Sequence, residues 1–424
     1  MSLPGPQDIT RHELDNGMVV LMRDAARYHL SPSVIVAGYL LVGAYDERPE
    51  QAGLSSFVAD ALMRGTTNRT FEQIYEELES VGASVGIGGG TYTTGFGAKS
   101  LAEDLPLVLD VLADVLRHPT FPGDEVEKLR AEILTDLAER EHDTQRMASL
   151  AFRELAYPQR HPYARSTSGY TETVSALGRD DLAEFCAGGY GPSGMVIVVV
   201  GAVKEADALA QIEDAFGGWM GHTYERAPLP DVPRVAEVRK QTVAIPDKTQ
   251  SDIILGYPGP SRTAPDFLDA SVCNTILGVF GLMGRLGEKV RDEQGLAYYS
   301  FSRVSGGPGP GPWQVIAGVS PNNVERALAS IRAEIRRICE EPVEPGELND
   351  SKAFITGSLP LRLETNEGVA QAILNMERYE LGLDYVQNYA DLIGEITVER
   401  VQAVAQRWLD PDAYALAVAG PPPA

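Results

Sequence analysis

The sequence predicts an α+β fold built from one unit that occurs twice. Helical and strand patterns are interleaved without the regular short alternation of a doubly wound parallel sheet. Matching residues also recur at nearly constant spacing: Gly38-Tyr39 returns as Gly256-Tyr257 after 218 residues, and Gly201 returns as Gly420 after 219. Two unrelated domains would not share this spacing, so we expect two homologous domains of helices on mostly antiparallel sheets.

The order of elements in the first half supports this fold class. Asn16-Gly17, between alternating apolar residues, predicts a hairpin turn. Hydrophobic periodicity then predicts strands and helices in this order: a strand at 34–41, helices at 53–63 and 71–81, a strand pair at 84–99, and helices at 105–116 and 124–141. A proline-rich, charged stretch predicts a linker, which divides the chain into an N-terminal domain 1–221, a linker 222–241 and a C-terminal domain 242–424.

Charge and cysteine usage limit the partners. The chain of 424 residues has 36 basic and 60 acidic side chains, a formal net charge of -24, which repels nucleic acids and anionic membranes. An acidic surface either attracts basic peptides or serves solubility, and composition leaves both open. The three cysteines form no CxxC pair, and no signal peptide or long apolar run is present. We therefore expect a cytoplasmic protein that does not span a membrane.

The segment from Gly53 to Thr66 has the spacing of a zinc-binding signature. It resembles that of the pitrilysin (insulinase-like) metallopeptidases, a family that includes insulin-degrading enzyme and the mitochondrial processing peptidases. In active members this segment reads Gly-x-x-His-x-x-Glu-His-x-x-x-x-Gly-Thr. Here the glycines and the threonine are kept, whereas the two histidines and the glutamate between them are replaced by Ser56, Asp60 and Ala59 respectively.

These replacements remove the chemistry of the motif. Histidines at positions i and i+4 of a helix share one face and hold one zinc, and the adjacent glutamate acts as general base on the metal-bound water. Ser56 is a poor zinc ligand, Ala59 accepts no proton, and Asp60 alone does not replace two imidazoles. The resemblance places the third metal ligand at Asp136, where the family has a glutamate. We therefore expect no metal in this chain.

A second family motif, in the C-terminal half, is kept. Residues 274–278 and 284–298 resemble the family's C-terminal signature, in which an arginine and a tyrosine seven residues apart hold the substrate backbone and the developing oxyanion; here they are Arg291 and Tyr298. We expect a helix with Arg291 in its last turn, a left-handed cap at Gly295, and a strand that carries Tyr298. Arg291 as a helix cap and Tyr298 as a packing residue is the structural alternative.

The resemblance covers nearly the whole chain and implies a duplicated metallopeptidase (mitochondrial processing peptidase/LuxS-like) fold in a short bacterial member of the arginine/tyrosine-bearing type. The glycine-rich strand 86–94 matches the family's substrate-binding strand, although a structural bend there is an equal alternative. We expect a peptide-binding subunit, inactive alone, that pairs with a zinc-bearing homologue or with itself and binds no nucleic acid. A purely structural subunit and an active peptidase with unusual ligands are the alternatives.

Overall fold

The computed structural model describes residues 3–24, 32–221, 226, 228–279 and 284–422. These residues form eleven strands: β1 (Thr10–Glu13), β2 (Val19–Asp24), β3 (Ser33–Leu40), β4 (Ser84–Gly89), β5 (Thr94–Leu101), β6 (Val196–Gly201), β7 (Arg239–Ala244), β8 (Ser251–Pro258), β9 (Ala297–Val304), β10 (Pro312–Val319) and β11 (Ala415–Gly420).

They also form fourteen α-helices and one π-helical turn at Gly287–Glu293. The helices are α1 (Leu54–Ala61), α2 (Phe71–Ser80), α3 (Leu105–Arg117), α4 (Gly123–Glu141), α5 (Thr144–Ala156), α6 (Thr171–Ala176), α7 (Arg179–Gly189), α8 (Glu205–Phe216), α9 (Phe267–Gly278), α10 (Val324–Glu340), α11 (Pro345–Arg362), α12 (Asn366–Arg378), α13 (Tyr385–Gly394) and α14 (Val398–Trp408). Every element that the sequence predicted in the first half is present. Gly17, at the predicted hairpin turn, has a φ of 81°.

The strands form two sheets with the same internal order. Sheet 1 has the order β1-β2-β6-β3-β5-β4, and sheet 2 has β7-β11-β8-β10-β9. The β2–β6 and β7–β11 pairs are parallel, whereas the other pairs among the described strands are antiparallel. Strand β3 and strand β8 start 218 residues apart, as the repeat predicted. The duplicated α+β fold is confirmed.

The chain folds into two compact units, each built from three segments that are not contiguous in the sequence. Unit 1 comprises Met1–Leu137, Ser166–Pro228 and Leu359–Asn388, and unit 2 comprises Ala138–Arg165, Leu229–Ser358 and Tyr389–Ala424. The predicted division into 1–221, 222–241 and 242–424 therefore departs from the units at two segments, one containing α5 and one containing α12.

Two-sided burial of the sheets explains the exchange. In β6, Ile197 and Val199 face the core formed with α1 and α3, whereas Val196, Val198 and Val200 pack against α12 on the opposite face. Sheet 2 repeats this arrangement, because the alanines of β11 pack against α5. Each buried aliphatic side chain contributes about 1.5–3 kcal/mol, so both faces require a helical cover.

The structure bears on three further expectations from the sequence: the linker, membrane-spanning helices and disulfides. Within 222–241, residues 222–225 and 227 lie outside the described residues, and 239–241 belong to β7 because they pair with β11. No helix of the described chain has the length and hydropathy needed to cross a bilayer. Cys186, Cys273 and Cys339 are buried and free.

A fully buried histidine follows α5 in unit 2. His161 has no exposed surface, its ring stacks on Tyr157 at 5.2 Å, and its Nδ1 accepts a hydrogen bond from the Tyr163 backbone N–H at 3.1 Å. Its Nε2 has no hydrogen-bond partner among the described atoms. Burial, and secondarily the nearby charge of Arg165, lowers the pKa of His161 to about 4.

His161 should therefore make the protein sensitive to acid. The pKa of an unfolded histidine is about 6.5, so between that value and pH 4 the unfolded chain binds more protons and stability falls as pH falls. When the pH falls from 7 to 4, the free energy of unfolding should decrease by about 3 kcal/mol less in H161N than in wild type. Urea denaturation at stepped pH measures this, with H142N at an exposed histidine as control. Parallel pH profiles of wild type and H161N would contradict the prediction.

Candidate functional site

Helix α1, which carries the altered signature, is held at its N-terminus by a buried carboxylate. Gly53 precedes the helix with a φ of 98°, and a side chain there would collide with Gly169. The Glu47 carboxylate accepts hydrogen bonds from the backbone N–H groups of Gly53 and Ser55 at 3.2 and 3.0 Å. A negative charge at this end also complements the helix dipole, so Glu47 fixes where α1 begins.

The four positions that the sequence singled out in this half line one pocket of unit 1. Ser56 and Asp60 face it from α1, Asp136 faces it from α4, and Ala59 borders it without exposed surface. The pocket has a volume of about 450 Å³. Its walls combine apolar and charged side chains; the apolar ones include Phe57, Met63, Tyr75, Val85, Ile87, Leu129 and Ile133, and the other charged ones are Arg64 and Glu132.

This set of side chains does not fit a zinc ion. Zinc sites in proteins use several imidazole, thiolate or carboxylate ligands at once, whereas the positions corresponding to the motif offer a hydroxyl, a methyl group and one carboxylate. Asp136 adds a second carboxylate from α4. Across the described residues, no group of three or more His, Cys, Asp and Glu side chains is arranged to hold a metal.

The pocket contains one basic side chain, Arg64, and three acidic ones, those of Asp60, Glu132 and Asp136. Arg64 forms ion pairs with Glu132 at 2.6 Å and Glu125 at 3.5 Å. Asp60 is exposed to the pocket, but the walls around it displace bulk water, and this desolvation raises the pKa of Asp60 to about 6. The charge of Arg64 opposes this shift, and that of Glu132 adds to it. A wild-type chain at neutral pH therefore keeps an ionised carboxylate in a poorly solvated position.

The pocket is bordered by the edge of sheet 1. Strand β4 pairs only with β5 among the described strands, in a register without irregularity through Gly89. The chain bends at Thr91 and Tyr92, between β4 and β5, so part of the glycine-rich segment is a structural bend. Open space lies over the α-carbons of Gly86 and Gly88. At Gly89, by contrast, a side chain would come within 2.7 Å of Ser56 Cα, so this glycine is needed for close packing on α1.

A buried network holds the end of the signature. Asp114 of α3 accepts hydrogen bonds from Thr66 Oγ1 and Asn68 Nδ2, both at 2.7 Å, and pairs with Arg69 at 2.9 Å. Sequence reasoning missed both Asp114 and Glu47. An acidic residue shortly before a predicted helix was the available signal for Glu47; Asp114 is remote in sequence and had none.

Arg291 and Tyr298 lie in unit 2, at an edge of sheet 2. Arg291 is in the last turn of a helical segment, Gly287–Glu293, as the sequence predicted; its geometry is π-helical, a helix type that the sequence did not specify. Gly295 takes the predicted left-handed cap with a φ of 58°, and its N–H donates to the Arg291 carbonyl at 2.9 Å. Tyr298 lies on edge strand β9 and is 81% exposed. The alternative in which Tyr298 packs within the sheet is therefore excluded.

Sequence comparisons relate most of the chain to one peptidase family. The insulinase family (peptidase family M16) matches residues 26–169, and the peptidase M16 inactive domain matches residues 176–354. An uncharacterized zinc protease of Mycobacterium leprae is 28% identical over 394 residues, covering 92% of this chain and 87% of its own. Cytochrome b-c1 complex subunit 1 of Rattus norvegicus is 28% identical over 269 residues, covering 62% of this chain and 54% of its own.

Solved structures show the same fold. A peptidase M16 inactive domain from Pseudomonas fluorescens superposes with a TM-score of 0.91 at 23% identity, covering 98% of both chains. A protease from Helicobacter pylori superposes with a TM-score of 0.90 at 19% identity, covering 99% of this chain and 100% of its own.

The raised pKa of Asp60 predicts that D60N stabilises the chain at alkaline pH. An unfolded aspartate has a pKa of about 3.9, so wild type loses stability as pH rises from there to 6, and the variant does not. Allowing for solvent screening of an exposed group, we expect D60N to gain about 1 kcal/mol at pH 8 and nothing at pH 4. Urea denaturation at both pH values tests this, with D180N on the exposed face of α7 as control. Equal gains at both pH values would exclude a charge effect.

Proposed function

Because the chain belongs to the pitrilysin/insulinase-type peptidase family but lacks its zinc ligands and general base, we propose that it is a non-catalytic, peptide-binding subunit. It binds oligopeptides and orients them for a zinc-bearing homologue. The observation that carries the proposal is the combination in unit 1 of a well-formed pocket with a motif that holds Ser56, Ala59 and Asp60. The pocket is present, whereas the hydrolytic groups of the family's motif are absent from it.

The edge strand beside the pocket supports peptide binding. A peptide that pairs with β4 gains backbone hydrogen bonds without regard to its sequence, and its alternate side chains point toward the sheet face or away from it. The open space over Gly86 and Gly88 leaves room for these side chains, and Gly86 and Ile87 belong to the pocket wall. The acidic surplus of the whole chain favours basic peptides.

The arginine and tyrosine of unit 2 supply the second part of the proposal. A guanidinium and a phenol are directed donors to peptide carbonyl groups. The exposure of Tyr298 on an edge strand is the arrangement expected for a residue that contacts a ligand. In the proposed role these side chains hold the substrate backbone, while bond cleavage takes place at the zinc of the partner subunit.

A purely structural role is the second candidate, and one comparison favours it. Cytochrome b-c1 complex subunit 1 is by its name a subunit of a larger assembly, and its similarity covers 62% of this chain. Such a subunit needs neither a peptide nor a donor pair. An active peptidase with unusual ligands is disfavoured because Ala59 has no group that accepts a proton.

Zinc content and cleavage separate these functions. We expect the isolated chain to contain substoichiometric zinc by plasma mass spectrometry and to leave a fluorogenic basic oligopeptide intact. Addition of a zinc-bearing homologue from the same organism should produce cleavage above that of the homologue alone. Stoichiometric zinc together with cleavage by the isolated chain would overturn the proposal, and a complex whose activity equals that of the homologue alone would favour the structural role.

Removal of the donor pair tests peptide binding directly. We expect R291A to weaken binding of a fluorescein-labelled peptide rich in Lys and Leu by about tenfold, because a hydrogen bond to a charged group contributes roughly 1.5–3 kcal/mol. Y298F removes one hydroxyl and should have a smaller effect. Fluorescence anisotropy gives the affinities.

R303A is the matched control for R291A, since Arg303 is an exposed arginine on the same strand as Tyr298. Equal affinities of wild type, R291A and R303A would remove the donor pair from the binding site and leave the structural role as the better explanation.

A further inference from the structure

The turn that carries Arg291 has an unusual geometry. Residues Gly287–Glu293 form a π-helix, a rare helix type that is wider than an α-helix, is defined by i→i+5 hydrogen bonds and is frequently found at functional sites. Leu286 and Val290 fix one side of the turn in the core of unit 2 and have no exposed surface. Because the winding of a helix sets the direction of each side chain, the direction of Arg291 depends on the π register.

An ion pair between a buried arginine and a half-buried glutamate lies at the start of this turn. Arg285 is only 2% exposed, and its Nε and Nη2 donate to the two carboxylate oxygens of Glu347, both at 2.8 Å. Glu347 belongs to the first turn of α11, and it also accepts from the Glu344 backbone N–H at 3.1 Å. The hydrogen bonds from Arg285 lower the pKa of Glu347. The pair therefore joins the π-helical turn to the start of α11.

A second carboxylate, that of Glu334, interacts with Arg285 through charge alone, since Arg285 Nη1 has no hydrogen-bond partner among the described atoms. Glu334 of α10 is buried, and burial raises its pKa, whereas the charges of Arg337, Arg285 and Lys289 lower it. Its closest cation is Arg337, at 3.6 Å. Loss of the Arg285 charge would leave both Glu334 and Glu347 with less compensation in a poorly solvated region.

The ion pairs of Lys289 on the surface of the turn hold the turn less firmly than the Arg285–Glu347 pair. Lys289 pairs with Glu293 at 2.5 Å and with Glu288 at 3.8 Å, but these side chains are partly exposed and their pairing is screened by water. The bidentate geometry of the Arg285–Glu347 pair restricts both orientation and distance, which a single exposed lysine does not.

We propose that Arg285, through its ion pair with Glu347, is a positioning residue that holds the π-helical turn in register and so orients Arg291 toward bound peptide. The structural part concerns the turn alone, whereas the orientation of Arg291 toward peptide rests on the proposed function. E347Q weakens the pair with little change in volume. R285K keeps the charge and loses the bidentate fork.

Hydrogen–deuterium exchange of the full chain tests the structural part. In E347Q and R285K, we expect amides of residues 287–296 to exchange about tenfold faster because the turn opens locally, with amides of sheet 2 unchanged. D412N is the control, since Asp412 also pairs with an arginine of the same unit, Arg336, but at an exposed position and through the single nitrogen Nη2. Unchanged exchange at 287–296 in both variants would overturn the proposal.

A double-mutant cycle with the fluorescein-labelled Lys/Leu peptide tests the functional part. We expect E347Q to weaken binding about fivefold and to add nothing in the R291A background, because residues that act through one another are not additive. An equal loss from E347Q in both backgrounds would show that Arg285 does not act through Arg291. If hydrogen exchange is faster in E347Q and R285K while R291A binds peptide like wild type, the proposed function is wrong. The ion pair would then stabilise the turn without a role in peptide binding.

Discussion

Two-sided burial of the central strands is the constraint on which both units depend. Strands β6 and β11 are buried along their whole length, so neither sheet is able to leave a face in water. One face of each sheet is covered by helices of its own repeat, and the other by α12 or α5. Sheet 1 ends at β1 and β4, and sheet 2 ends at β7 and β9. The residues proposed to bind peptide lie at or beside β4 and β9, where backbone groups along the sheet edge are available for pairing.

The pocket of unit 1 persists without metal ligands because its walls do not depend on them. Helix α1 is fixed by the burial of Leu54, Phe57 and Val58 and by the Glu47 carboxylate at its N-terminus. The loop after it is fixed by Asp114. None of these interactions uses Ser56, Ala59 or Asp60, so changes at the three positions alter the chemistry of the pocket without dismantling it. The partial desolvation of Asp60 is an unfavourable contribution in the pocket.

Local sequence signals were sufficient for the elements and for the two motifs, because caps, turns and periodicity act over a few residues. Helix α2 illustrates this: Thr70 and Gln73 form a capping box at its N-terminus, and its predicted and observed bounds differ by one residue. The exchange of α5 and α12, the Asp114 network and the Arg285–Glu347 pair join residues far apart in sequence, and no local pattern specifies them. The π register of Gly287–Glu293 was missed for the same reason, since buried neighbours rather than the sequence of the turn maintain it.

Duplication provides an internal comparison for the π-helical turn. Helix α2 and the turn hold the same place in their units, each leading into the edge strand of its sheet. Helix α2 is a regular α-helix of ten residues that begins with a capping box, whereas the corresponding turn is π-helical and is held by the Arg285–Glu347 ion pair. The fold therefore does not require the π geometry at this place. Among the described residues, π geometry occurs at this place in the unit that carries Arg291 and Tyr298, where the Arg285–Glu347 pair and the core beneath the turn maintain it.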